Sequence, residues 1–253
     1  MNRRTVLVLA VIAALGAVAF LIGISQAQPV RIWSIYLVNL LFWSGLAVAG
    51  PAIAGIMELM EARWSPGVKQ IALTTAGFLP VSFVLLLVLF FGRADLYSWV
   101  SDPLPAKAAW LNVPFMALRI GLGTLILYWI AWMFVRTALQ ETSGSEAAQR
   151  SRRRRRRALA TAMLILFVVV LSLFGFDLVM SLAPEWFSGL FGGYFTVSTL
   201  YTGFALLAVL TAFDNRSGAA KVTPAAVQDV AKLVFATSIL WMYFFWSQYL
   251  VIW

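Results

Sequence analysis

Arg119 stands about seven residues inside an apolar run that reaches Val135, roughly 10 Å deep at 1.5 Å of helix rise per residue. A charge at that depth is costly in hydrocarbon and marks a pairing, a substrate site or a proton path. Three fates are open to it: snorkelling outward, pairing with a carboxylate of a neighbouring helix or subunit, or facing a polar cavity. Asp177 is the favoured partner, because it lies near the outer end of the next apolar run at a comparable depth from the same surface. Glu58, at the inner end of the second run, reads as an interfacial, solvated carboxylate. Gln248 and Tyr249 fall in the aromatic segment 241–253. Rings there serve as interfacial anchors, or form a slot in which a flat quinone ring takes hydrogen bonds from these two side chains. Arg119, Asp177, Gln248, Tyr249 and Glu58 are thus the candidates for quinone contact or a proton path. Asp214, Asp229 and Lys232 read as boundary charges, with Lys232 one turn from Asp229.

A second cluster is basic. Arg152, Arg153, Arg154, Arg155, Arg156 and Arg157 are consecutive and abut an apolar run. Beside a membrane such a run anchors topology and binds anionic lipid head groups, at about 1 kcal/mol per basic side chain. Docking an acidic partner is the second reading, and nucleic acid is not an expected partner at that position.

The types that are missing narrow the chemistry further. There is no histidine and no cysteine. These are the usual ligands of haem, iron–sulfur clusters, copper and zinc, so no redox cofactor is expected to be bound by the chain itself. Neither a His-based nor a Cys-based nucleophilic site can be built, which leaves a standalone hydrolase or acyl transferase without support.

The elements that must hold these residues are membrane helices. Of 253 residues 62% are hydrophobic and 11% charged, which leaves no soluble domain of useful size. A hydrocarbon core about 30 Å thick needs about 20 apolar residues per crossing. Runs of that length are predicted at Thr5–Ile24, Ile32–Met60, Val68–Gly92, Asn112–Val135, Ala158–Met180, Gly189–Phe213 and Val227–Trp253. The expected fold is an all-α polytopic bundle of about seven spans in one integral membrane domain. Residues 1–136 hold the first four spans, 137–157 an Arg-rich cytoplasmic loop and 158–253 the last three. Within the loop, Glu141–Gln149 reads as a flexible linker that splits the bundle. Ala94–Trp110 reads as an interfacial segment on the outer surface. Small residues at Gly45, Ala47, Ala49, Gly50, Gly121 and Gly123 would let helices approach closely.

Orientation follows from the basic residues. With the N-terminus in the cytoplasm, Arg3, Arg4, Arg63, Lys69, Arg136, Arg150, Arg152–Arg157, Arg216, Lys221 and Lys232 fall inside, and Arg31, Arg93 and Lys107 outside, 15 against 3. The C-terminus is then periplasmic, in a bacterial inner membrane. Thr5–Ile24 is read as a retained helix, its apolar run being longer than a usual signal-peptide core, although Ser25-Gln26-Ala27 has cleavage-site spacing.

Several segments in order resemble one family: Tyr36–Phe42, Trp64-Ser65 followed by Phe78-Leu79-Pro80, Asp95-Leu96-Tyr97 with Trp99, Lys107 leading to Leu111–Phe115 and Arg119, Asp177–Leu182 with Pro184 and Trp186-Phe187, and Lys232–Phe235 running to Ser247–Trp253. Together they are similar to the ActF-type (NrfD-like, PsrC-like) integral membrane subunits of alternative complex III, a bacterial quinol:cytochrome c oxidoreductase. The resemblance covers the chain from about Arg31 onward. It implies a subunit of a respiratory complex whose partners are other membrane subunits, iron–sulfur and cytochrome c subunits and a terminal oxidase, with quinol bound at the level of the complex.

The departures from that family matter. Where relatives tend to carry proton-labile groups, this chain has Leu73, Ala94, Ser98, Glu185 and Gln228, which weakens a proton-path role and leaves scaffolding as the expected one. Relatives also continue for roughly three more helices beyond the position of Trp253, an expectation that fits a fragment, a split gene or a reduced paralogue. The competing classes are a secondary transporter or channel and a membrane assembly factor. Transport is disfavoured by the lack of paired broken helices with midplane charges, since Pro51 and Pro80 can act as simple kinks.

Overall fold

In hydrocarbon a chain must satisfy its backbone hydrogen bonds internally, and for single apolar runs only the helix does so. The computed structural model describes residues 3–25, 29–62, 66–140, 145–216 and 222–252, and among these there is no strand. Gln26-Ala27, Arg63, Trp64-Ser65, Glu141, Lys221 and Trp253 lie outside the described residues, as do the side chains of Arg3 and Arg216. Among the described residues seven helices are long and apolar enough to cross a membrane: α1 (Arg3–Ser25), α2 (Pro29–Leu59), α3 (Pro66–Leu96), α4 (Val113–Leu139), α5 (Glu146–Leu173), α6 (Phe191–Arg216) and α7 (Pro224–Ile252). The chain is an all-α, multi-pass membrane protein.

α2 is the axis of the bundle. Its apolar stretch is 78% buried, whereas that of α1 is 0% and that of α7 6% buried, so the latter two are flanking helices. α2 packs against α3, α5 and α6, while α7 leans on α6 and α1 on α2. Every residue from Ser44 to Gly55 is buried, which needs side chains small enough for neighbours to close in on all sides. At Gly50 an added Cβ would lie 2.2 Å from the Ala72 carbonyl oxygen of α3, at Gly55 2.7 Å from Met163 of α5, and at Gly45 3.1 Å from Thr199 of α6. Opposite Ala49, a Cβ on Gly203 of α6 would come within 2.4 Å. Three neighbours thus approach three faces of one helix. Gly121 and Gly123 do not share this role, because nothing lies within 4 Å of the first and the second has only ordinary contact with Val170.

The two interior prolines behave differently. Pro51 sits inside an uninterrupted α2. α3 instead tightens into a 3₁₀ turn over Thr75–Phe78 just before Pro80, and the Thr75 hydroxyl donates to the Ala47 carbonyl of α2 at 3.0 Å. Hydroxyl donation across helices satisfies polar atoms that lipid cannot.

Three expectations are corrected here. α5 begins at Glu146, with Ser145 capping it by accepting from the Ala148 amide, so residues 146–157 are helix and not loop or linker. Residues 146–157, the arginines among them, therefore prolong the fifth span by about three turns. Nor is the bundle split into four and three spans, since α5 and α6 both pack on α2. Finally, the segment after α3 does not simply lie on the surface: Tyr97 and Trp99 are buried, and the Tyr97 hydroxyl donates to the Leu178 carbonyl at 3.2 Å.

Candidate functional site

Two ion clusters occupy opposite ends of the bundle. The first is centred on Arg119. Asn112 caps α4 by accepting from the Phe115 amide at 3.0 Å, and Pro114 occupies the first turn, where its missing N–H is harmless. That start places Arg119 one turn beyond Phe115, on the same face. Its partner comes from the end of α5, which widens into a π turn over Phe174–Val179 that contains Asp177. π turns recur at functional positions because they reset the phase of a helix.

The pairing is bidentate. Arg119 donates through Nε to Asp177 Oδ2 and through Nη2 to Oδ1, both at 3.0 Å. The Asp177 side chain is wholly buried and that of Arg119 9% exposed. Trp110 completes the site twice over: its indole N–H donates to Asp177 Oδ1 at 2.9 Å, and its carbonyl accepts from Arg119 Nη2 at 3.1 Å. The guanidinium carbon also lies 3.9 Å from the Trp110 ring and 4.1 Å from the Phe115 ring, where the π faces favour a cation. Geometry of this kind is the condition under which a buried ion pair offsets its desolvation. Of the three fates open to Arg119, pairing is the one realised. Burial first, and the Asp177 charge second, push the nearby Tyr97 phenol up, which keeps it a neutral donor.

Beside this pair a cleft of about 280 Å³ opens between the segment before α4 and the end of α5. Trp110, Phe176, Met180 and Trp186 wall it, and Ser181 and Lys107 are its polar members. Lys107 donates to the Pro184 carbonyl and lies 5.8 Å from the Phe187 ring. The cleft was not visible in the sequence. Flat aromatic walls, a hydroxyl and a nearby neutral ion pair suit a planar, weakly polar ring.

The second cluster sits at the arginine end. Glu58 is 7% exposed, not solvated as expected, because α2 carries it between Lys69 of α3 and Arg156 of α5. Arg156 Nε lies 2.6 Å from its carboxylate, and Lys69 bonds the other oxygen. Glu61 takes Arg153 at 3.0 Å and Arg157 as well. Arg153, Arg156 and Arg157 recur at helical spacing, so one face of the six-arginine run clamps α5 to the end of α2. Removing Glu58 would leave two cations competing in a half-buried site. A Glu58→Ala change is expected to cost roughly 2 kcal/mol, below the range for fully buried pairs because both cations keep some solvent. Thermal unfolding of the detergent-solubilised protein measures this, and an unchanged midpoint would show the clamp to be idle.

Gln248 and Tyr249 are not brought together. Gln248 is buried, donating to the Ser188 hydroxyl at 2.9 Å. Tyr249 is 43% exposed and stacks on Trp246 with centroids 5.5 Å apart. The aromatic seam that does form lies between α6 and α7, where Trp241 stacks on Tyr201 and Phe245 and donates to Ser198 at 2.9 Å. Lys232 and Asp229 pair locally at 2.9 Å, as their spacing predicted. Other buried polar groups of the bundle include the hydroxyls of Ser44, Ser82, Thr124, Thr199 and Thr211. No protein-family model matches the chain, and no curated protein does.

Proposed function

We propose that this chain is a membrane scaffold subunit of a respiratory quinol:cytochrome c oxidoreductase of the alternative complex III kind, working beside subunits that carry the iron–sulfur and haem centres. The observation that carries this reading is the closure of its buried charges: Arg119 and Asp177 neutralise one another bidentately. A relay needs groups that can load and release protons in succession, and a carboxylate held bidentately by a guanidinium favours holding helices together over conducting. The resemblance supplies the kind of complex, and the lightly buried faces of α1 and α7 are available to other membrane subunits or to lipid.

Within that complex the cleft walled by Trp110, Phe176 and Trp186 is the best surface for a quinol ring, better than Gln248 and Tyr249, which point to different environments. The membrane would be the bacterial inner membrane, with the arginine end cytoplasmic.

Purification from its own membranes in gentle detergent tests the main reading. Co-migrating multihaem cytochrome and iron–sulfur subunits are expected; a solitary protein that moves a solute in vesicles would overturn it and favour a transporter. For the quinol contact, Phe176→Ala in the assembled complex is expected to raise the quinol KM, whereas Tyr249→Phe leaves turnover unchanged. The opposite pattern in quinol:cytochrome c kinetics would return the contact to α7.

A further inference from the structure

The geometry points to a built site for one anionic phospholipid in the groove between α3, α4 and the start of α5, its phosphate held by Arg136 and Arg155. The site rests on the division of labour among the basic side chains at that end. Arg150, Arg153, Arg156 and Arg157 each meet a carboxylate. Among the described residues Arg136 and Arg155 meet none, yet both line one cleft of about 810 Å³. Two uncompensated guanidiniums facing the same space attract an anion with bidentate oxygens, and phosphate fits that fork.

What lies below the cleft makes the anion a lipid. Trp129 and Trp132, with ring centroids 5.4 Å apart, form part of its wall. The same two rings also line a second groove of about 360 Å³, continued by Leu79, Pro80, Phe83 and Leu125. The two spaces thus adjoin at this ring pair along a single α4 face, marked by Leu125, Trp129, Trp132 and Arg136 at helical spacing. The guanidinium of Arg136 lies 4.3 Å from the Trp132 ring, at the junction of polar and apolar halves. From Arg136 to Leu125 is about 16 Å of helix rise, close to the depth of one leaflet. A free phosphate would use only the arginine-lined space; a phosphate with an acyl chain running past the rings uses both. The 3₁₀ turn over Thr75–Phe78, followed by Pro80, borders the second groove.

Native mass spectrometry of the detergent-purified protein, with whatever subunits accompany it, tests this after delipidation and titration with phosphatidylglycerol or phosphatidylcholine. One phosphatidylglycerol is expected to be retained about tenfold more tightly than phosphatidylcholine, and the double variant Arg136→Gln, Arg155→Gln should lose that preference. Arg154→Gln should keep it, because Arg154 lines a different cleft, with Glu61. Equal retention of the two lipids by the unaltered protein overturns the site without recourse to any variant. So does an equal loss in Arg154→Gln, which would mean diffuse surface charge. Displacement by glycerol phosphate at concentrations matching the lipid would reassign the site to a free phosphate.

Discussion

Asp177→Ala is expected to destabilise the protein by about 3–5 kcal/mol, because it strands a guanidinium in a site closed to water. The double variant Arg119→Leu, Asp177→Leu should recover most of that loss, since apolar pairs of similar volume often replace buried ions at little cost. What it would not recover is the Trp110 indole N–H, left without its carboxylate, at about 1–3 kcal/mol. The order of thermal midpoints should therefore run unaltered protein, double variant, single variant. Exchanging the two charges should rescue little, because the Trp110 N–H would then point at a cation and its carbonyl at an anion. A single variant that melts with the unaltered protein would mean that Arg119 reaches solvent by another route.

The second large effect belongs to Gly50. A Cβ there meets a backbone oxygen at 2.2 Å, and backbone cannot turn aside as a side-chain tip can. Gly50→Val is expected to force α2 and α3 apart, at or beyond the 1–3 kcal/mol typical of overpacking. It would also break the donation from Thr75 to Ala47. Gly121→Val on α4 is the matched control, with nothing within 4 Å of its Cβ position, and should leave the melting curve where it is. Equal tolerance of both changes would show that the helices do not approach as closely as described.

Much of this was legible from the residues. Hydropathy and length located all seven helices, and depth alone paired Arg119 with Asp177. Trp110 as their third member was not legible, because it lies in an irregular segment where no periodicity reports direction. The arginine end was misread for a compositional reason: Ser, Ala and Gly around position 145 look like a linker, yet Ser145 followed by Glu146, Ala147 and Ala148 is also a helix-start signature. Once residues 146–157 are helical, the phase of Arg153, Arg156 and Arg157 follows, and with it the burial of Glu58. Gln248 and Tyr249 looked like one site because they are adjacent in sequence. On a helix adjacent residues diverge by about 100°, which separates a buried amide from an exposed phenol.

The centrality of α2 dictates an order of events during synthesis. Gly55 closes on Met163 and Gly45 on Thr199, contacts that span more than a hundred residues of chain. α2 leaves the ribosome early and meets α3 soon afterwards, but the faces that hold Gly45 and Gly55 find their mates only after α6 and α5 have entered the bilayer. Until then Gly45 and Gly55 face lipid, and Glu58 has only Lys69 for company. The nascent protein thus passes through a stage in which two faces of its innermost helix await partners that have yet to be made.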